Sequence, residues 1–575
     1  MPWDARIEQQ RSDLRAAEAQ GCWSALGAYV RYSSPGWLTS ALALGAGSLG
    51  SRLYLGILAG VGMLWIQPHA MGVIMLGAIS YVTLSIDELP YRAINRHLNL
   101  LLGWSWLAAA LVANIVWSMP QYVLTFAVVE QDLFPAWFGG ERVLGRIDAG
   151  KCVVSLTVLV ICTTVAWSYG AGSAKLQWFD GLLRLVVAII VLSFIGVVAR
   201  IAAAGDGVDW GAVVAGFIPD PQQFSRPANA LVPLLAAIDD IRAREFWSGL
   251  FASQQRDVML GEGSAAVGVN LTDMLPNLLS NRGWNRNFRR LELFDLATAM
   301  FLPFVVATGC VVIAAADQFH AQPAEGLRFD ADGEVILPSL FEGEYSGMLA
   351  QRAVALGGID HPAAPPMEAE QRLAAVLVRR DASDLAQSLL RLYGGKESDQ
   401  GRSAAQIVLG AGAVGMTLSS ITLMMLVSRF VACDAAKAAV GGWRFRLGCL
   451  IPSLAVLWPV VWQGQSKAWL TVVASVICAA LLPIAYVAFF ALMNRPAVLG
   501  DAMPRGRRRV FVNLLMGLAV ASALGAAASA IFKTGGWIGV AVVGVYLALL
   551  VAGSPHNTSA ANPLDAPFTP SNPGA

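Results

Sequence analysis

The chain has 575 residues, 56% apolar and only 14% charged, against about 25% charged in an ordinary soluble domain. Forty Lys and Arg oppose 39 Asp and Glu for a net charge of +1, yet the charges sit in short clusters between long uncharged stretches, the pattern of a polytopic membrane protein in a lipid bilayer. That composition excludes a disordered or collagenous chain, a coiled coil and a basic nucleic-acid-binding domain.

Residues 1–33 carry Asp4, Glu8, Arg11, Asp13, Arg15 and Glu18 with no apolar core, which predicts a short surface helix and no cleavable leader. About 20 apolar residues cross a bilayer as a helix. On that measure spans are predicted near 36–58, 61–85, 102–128, 152–171, 180–203, 263–280, 293–316, 405–428, 446–464, 469–492, 509–531 and 534–552, twelve in all. The seven cysteines form no CxxC pair and fall mostly in apolar stretches, which excludes a disulfide framework or zinc site. No HExxH, P-loop or paired-carboxylate motif occurs. An enzyme is not expected, no cofactor is required, and active transport would draw on an ion gradient.

Lys and Arg fix the expected orientation. Arg6, Arg11, Arg15 and Arg31 precede the first span, Arg92 and Arg96 follow the second, and Lys175 follows the fourth. Arg282, Arg286, Arg289 and Arg290 follow the sixth, Arg429, Lys437, Arg444 and Arg446 the eighth, and Arg495, Arg505, Arg507, Arg508 and Arg509 the tenth. Every second connection is basic, so both termini are expected in the cytoplasm of a bacterial inner membrane. The chain then divides into a cytoplasmic segment 1–33, a first five-span repeat 34–203, an outer connection 204–262, a second repeat 263–492 bearing an outer insertion 317–404, spans eleven and twelve over 493–552, and a disordered tail 553–575. The insertion has 14 acidic and eight basic residues; it is either an ordinary solvated loop or a device that raises local cation concentration. Helical spacing over 367–378 and 382–392 predicts a small hairpin within it.

Two spans carry interruptions. The first contains Leu44-Gly45-Ala46-Gly47-Ser48-Leu49-Gly50-Ser51, and the sixth Asn270-Leu271-Thr272-Asp273-Met274-Leu275-Pro276-Asn277. Broken helices five spans apart match a transporter built from inverted repeats, in which exposed carbonyls and half-helix ends hold an ion or solute. The alternative is a glycine packing face in the first span and a proline kink in the sixth. A mid-span carboxylate such as Asp273 is costly unless it faces a cavity or partner; it is a cation ligand, a proton carrier or a member of an ion pair. Gly45, Ser48, Asn270, Thr272, Leu275 and Asn277 are the other candidate metal-site positions, through side chains or backbone carbonyls. The breaks themselves are assigned to Gly45, Ala46 and Gly47, and to Leu275 and Pro276. His69 is a possible proton relay. Gln67, Asn114, Gln121, Thr417, Ser419 and Ser420 fit helix–helix hydrogen bonds better than ligands.

Pro35-Gly36-Trp37-Leu38 followed by Gly45-Ala46-Gly47-Ser48, with Leu275-Pro276-Asn277 in the sixth span, resembles the Nramp divalent-metal transporters, whose first and sixth helices are broken by Asp-Pro-Gly-Asn and Met-Pro-His. Leu482-Pro483 through Asn494 to Leu499-Gly500 resembles that family's tenth helix, and Gly415 to Leu426 its eighth. The resemblance is to a divergent, Nramp-related branch. It implies an all-α fold of the LeuT-like type, two inverted five-helix repeats with about twelve transmembrane helices, and alternating access to a central divalent cation. Carried across, the family's metal-binding Asp falls on Gly45, its Asn on Ser48, its Met on Leu275 and its His on Asn277. All four side chains differ; what remains is oxygen-rich, which suits Mg²⁺ or a hydrated cation if Asp273 faces the site, and the expected cation is Mg²⁺ or Mn²⁺ ahead of softer metals. The expected function is a secondary transporter of such a cation, Asp273 supplying charge. A cation-coupled carrier of a small organic solute, or a membrane receptor or scaffold, are the alternatives. Oligomeric state is not legible in the sequence.

Overall fold

The computed structural model describes residues 5–33, 35–67, 72–86, 88–138, 147–168, 173–203, 207–324, 327–329, 335–336, 339–357, 365–378, 399–436, 442–462 and 469–553. Among the described residues the regular structure is helical apart from one two-residue ladder in the insertion, where Arg328 pairs with Ile336 and Phe329 with Val335 in antiparallel register. Among the described residues seven helical stretches are long and apolar enough to cross a membrane.

Two helices, α1 (Ala5–Gln20) and α2 (Cys22–Tyr32), form a surface hairpin. The Tyr29 hydroxyl donates to Glu18 Oε1 and the Tyr32 hydroxyl to Asp13 Oδ2, both at 2.5 Å. Burial and the Glu18 carboxylate push the Tyr29 phenol up to about 12, so it remains a donor across the physiological range.

The first span is two helices, α3 (Pro35–Ala43) and α4 (Ala46–Ala59). One orphan N–H at the start of α3 is satisfied by a distant carboxylate: Asp295 Oδ2 accepts from the Gly36 N–H at 2.6 Å, and its other oxygen accepts from the Ser33 hydroxyl. A Cβ on Gly36 would lie 2.6 Å from the Asp295 carbonyl, so only glycine fits there. The second span is short and irregular, with α5 (Val73–Thr83) as its regular part.

Next come α6 (Pro90–His97) and the 29-residue α7 (Leu100–Val128). Asn99 caps α7 by accepting from Leu101 and Leu102 at 2.7 and 3.3 Å, while its amide donates to the Leu550 carbonyl at 2.8 Å. One side chain thus starts a span and pins the far end of the chain to it. The predicted fourth and fifth spans fall on the helices α8 (Ile147–Ser168) and α9 (Ser173–Ala203).

The connection expected over 204–262 ends early. From Ile241 the chain is already the 26-residue helix α10 (Ile241–Ala266), which leads into α11 (Val269–Asn281). The seventh span joins α12 (Arg289–Asp295) to α13 (Leu302–Phe319) through a π-helical turn at Leu296–Phe301. In the insertion, α14 (Ser339–Gly357) was not anticipated, and α15 (Glu368–Leu377) is the expected first helix of the hairpin; 382–392 lies outside the described residues. Arg352 on α14 grips Glu370 on α15 with two 2.7 Å bonds, and Trp247 of α10 donates to the same carboxylate at 2.9 Å. A buried, bidentate, charge-assisted cluster therefore fastens the insertion to the bundle.

The remaining long elements are α16 (Asp399–Ala436), α17 (Trp443–Cys449) opening an irregular stretch to Val461, α18 (Trp469–Met493) and α19 (Gly506–Ala552). Gly536 divides α19, with a left-handed φ of 53°. A Cβ on Gly539 would sit 3.0 Å from the Ile531 carbonyl, so the chain doubles back there. The core is continuous through these helices, with Trp106, Trp247 and Trp458 among its fully buried side chains.

Candidate ion site at the helix breaks

The first interruption is where it was expected, but narrower. Leu44 and Gly45 are non-helical, whereas Ala46 and Gly47 form the first turn of α4. Gly45 has φ −69° and ψ 175°, extended backbone open to any residue. Space is what requires glycine: a Cβ would lie 2.9 Å from Gln121 Nε2 on α7 and 2.9 Å from Ser420 Oγ on α16. The break therefore presents the C-terminal end of α3, the N-terminal end of α4, one amide and one hydroxyl to a common point. Ser420 Oγ is buried with no hydrogen-bond partner among the described residues. Gln121 and Ser420, expected to serve helix packing, both stand at the break. Asn114 and Thr417 do serve packing, bonded to Ser428 at 2.9 Å and Thr125 at 2.6 Å. The Ser48 side chain and His69 lie outside the described residues.

The second interruption is not at Leu275-Pro276. Those residues lie inside α11, which runs unbroken through Pro276, and the chain departs from helix at Val267-Gly268. A proline removes one N–H and crowds the carbonyl four residues back, but within a packed bundle the loss is tolerated. Val267, by contrast, leaves the helical region at the C-terminal end of α10, and Gly268 has extended backbone at the N-cap of α11.

A buried ion pair relates the two breaks. Arg52 Nη1 of α4 lies 2.8 Å from Glu262 Oε2 of α10, and both side chains are wholly buried. Arg52 also lies over the Phe304 ring at 5.0 Å. Helix α4 runs parallel to α13, since Gly56 packs on Ala315 and the Ile57 carbonyl meets His320 beyond the Arg52–Phe304 contact. It is antiparallel to α10, which leads through α11 into α13. Gly45 lies seven residues before Arg52 and Val267 five after Glu262, rises of about 10 and about 8 Å. Both breaks thus lie on the same side of the pair, at nearly one level. Sequence reading missed this pair, although an Arg inside an apolar span was a visible signal.

The other predicted residues lie in a separate layer. The Trp106 indole of α7 donates to Thr272 Oγ1 at 2.9 Å, whereas Gly45 meets the same helix at Gln121. Those positions are about 22 Å apart along α7, and a Trp and a Gln side chain together cover about half of that. On α16 the contact with Gly45 is Ser420, while the residue whose charge reaches Asp273 is Asp434, about 21 Å away along the helix. Two ligands of one Mg²⁺ or Ca²⁺ ion span at most about 5 Å. Gly45 and the Thr272–Asp273–Asn277 group therefore do not share one coordination sphere. Asp273 is buried, its carbonyl and Oδ2 accepting from Asn277 Nδ2 at 3.1 and 3.4 Å. Asp434 lies within electrostatic range of Arg92, and its carbonyl accepts from the Tyr91 hydroxyl at 3.2 Å. Asp434 is a second residue that sequence reading passed over. Leu275 is fully buried among apolar neighbours.

Among the described residues no three His, Cys, Asp or Glu side chains gather as a metal cluster; the donors at the first break are neutral. No protein-family model and no curated relative matches the sequence. Solved structures do resemble it. One single-residue variant of the manganese transporter of Eremococcus coleocola aligns with TM-score 0.57 and 14% identity over 92% of this chain and 93% of that one. The same transporter, in complex with an aromatic bis-isothiourea substituted compound, aligns at 0.54 with 15% identity over 92% and 94%. At such identity the likeness is one of fold. This chain is an all-α polytopic membrane protein with the fold of the Eremococcus coleocola manganese transporter.

Proposed function

We propose that the chain is an Nramp-related, alternating-access secondary transporter of a divalent cation, resident in a bacterial inner membrane with both termini cytoplasmic. In this reading it has twelve spans: one five-helix repeat over 34–203, an inverted copy from α10 to α18, and the two arms of α19. The observation that carries it is the pair of interrupted helices held level with each other by Arg52 and Glu262. Broken helices at one level between repeats are where carriers hold small ions, and the protein with the similar fold transports manganese.

The ion is held between the breaks by backbone carbonyls at the end of α3 together with the Ser420 hydroxyl and the Gln121 amide, turned so that its oxygen rather than Nε2 faces the break. These are hard, neutral donors, suited to Mg²⁺ or Mn²⁺ that keeps part of its hydration shell. Asp273 and Asp434 form a second, acidic layer toward the arginine-bearing end, where they draw the ion along its path without binding it at the breaks. The neutrality of the donors at Gly45 favours one second reading, a cation-coupled carrier of a small polar solute.

Calorimetric titration of the purified protein with Mn²⁺ and Mg²⁺ separates these readings. Gln121→Leu combined with Ser420→Ala is expected to weaken binding about tenfold or more, and Asp273→Asn to leave it within a few-fold of wild type. Unchanged binding in the double variant would move the cation away from the first break.

A further inference from the structure

The arginine-bearing end of the bundle contains a cleft of about 360 Å³ that the transport reading does not use. Guanidinium groups of Arg11, Arg15, Arg286, Arg289, Arg290 and Arg508 line it, against a single carboxylate, Glu18. They converge from α1, from the turn that follows α11, and from the first turn of α19. Positive charge at membrane ends is ordinary, but a concave wall of six guanidiniums is not a scatter of surface charges.

The acids nearby, among the described residues, are already engaged. Glu18 accepts from Tyr29 at 2.5 Å and lies 3.5 Å from Arg290, and Glu8 lies 3.3 Å from Arg11. Among the described residues no carboxylate pairs with Arg15, Arg286, Arg289 or Arg508. Those four are held instead by neutral groups. Arg15 donates to Asn287 at 3.4 Å and Arg286 to the Ser85 carbonyl at 3.1 Å. Arg289 lies over the Tyr81 ring at 4.1 Å, and Arg508 stands 6.0 Å from the same ring. Arg289 Nε is buried with no hydrogen-bond partner among the described residues. Uncompensated like charges in one cleft repel each other, and an anion between them removes that cost.

We propose that this cleft binds a phosphate-bearing anion, gripped between α1 and the 286–290 turn. Planar guanidinium forks match phosphate oxygens in geometry and charge. Such a ligand fastens the N-terminal helix to the segment that immediately follows α11, the helix that begins at the second break. A lipid headgroup and a soluble phosphate share this chemistry.

The full-length protein in neutral detergent is titrated by calorimetry with inorganic pyrophosphate and, separately, with a short-chain phosphatidic acid; phosphatidylcholine of equal chain length and chloride at matched ionic strength are the references. Saturable binding of at least one phosphate-bearing probe is expected, weakened about tenfold in Arg289→Gln and in Arg508→Gln and strengthened in Glu18→Gln. Pyrophosphate binding assigns a soluble anion; binding of phosphatidic acid alone assigns a headgroup. Arg508 is exposed, so its variant keeps the fold and the readout intact. No saturable binding of either probe to folded wild type, or affinity unchanged in both arginine variants, overturns the assignment.

Discussion

Replacing Arg52 with Met is expected to destabilise the protein by about 3–5 kcal/mol, because it strands the Glu262 carboxylate in a site with no access to water. Glu262→Met removes the guanidinium's carboxylate and is also expected to destabilise the protein, although Arg52 keeps its contact with the Phe304 ring. The pair is 2.8 Å long and wholly buried, and its neighbours leave little room to rearrange: Ser51 and Ser475 are 3.2 Å apart, and a Cβ on Gly261 would meet Ser475 at 3.0 Å. Removing both charges replaces a desolvated pair by apolar packing, which is often neutral. The double variant should therefore recover most of the loss. Unfolding in detergent across the four proteins forms a double-mutant cycle that reads the coupling directly. Additive losses, or singles no weaker than an exposed Arg→Met control, would show that the pair does not hold α4 to α10.

Gly45→Val should lower divalent-cation binding about a hundredfold, the scale expected when a small displacement disorders a preorganised site, while leaving the unfolding temperature nearly unchanged. The backbone there is extended, so valine adds no strain, and the atoms its Cβ would meet are the ends of two side chains, Gln121 and Ser420. Those side chains turn aside and the ion loses them. Gly56→Val is the contrast. Its Cβ would lie 2.6 Å from Ala315 Cβ and 2.7 Å from the Val312 carbonyl; main chain must move, so that variant is expected to lose fold and binding together. Wild-type cation affinity in folded Gly45→Val would remove the first break from the site.

These contrasts also mark what the sequence could convey. The first interruption was legible because a run of Gly and Ser inside an apolar span has little else to explain it. A similar small-residue run, Gly261-Glu262-Gly263-Ser264-Ala265-Ala266-Val267-Gly268, marks the second, but Pro276 drew the assignment eight residues downstream of Gly268. Proline weakens a helix through one lost hydrogen bond and one clash, and packing on neighbours offsets both, whereas Gly268 at an N-cap lets a new helix begin. Glu262 fell just outside a hydropathy-defined span, so its burial was invisible. Its pairing with Arg52 joins positions 210 residues apart, which no local pattern records. Asp273 stood out as a carboxylate inside an apolar span and is buried in the bundle, but its level there depends on the neighbours it touches. Only Trp106 and Asp434, acting as marks along α7 and α16, separate it from Gly45.

The central claim is transport of a divalent cation through the paired breaks. Uptake into proteoliposomes tests it most directly, with Mn²⁺ and Mg²⁺ offered to purified wild type and Gly45→Val under imposed pH and voltage gradients. The account predicts saturable uptake of at least one of the two ions by wild type and almost none by the variant. Folded wild-type protein that moves neither ion under either gradient would contradict it.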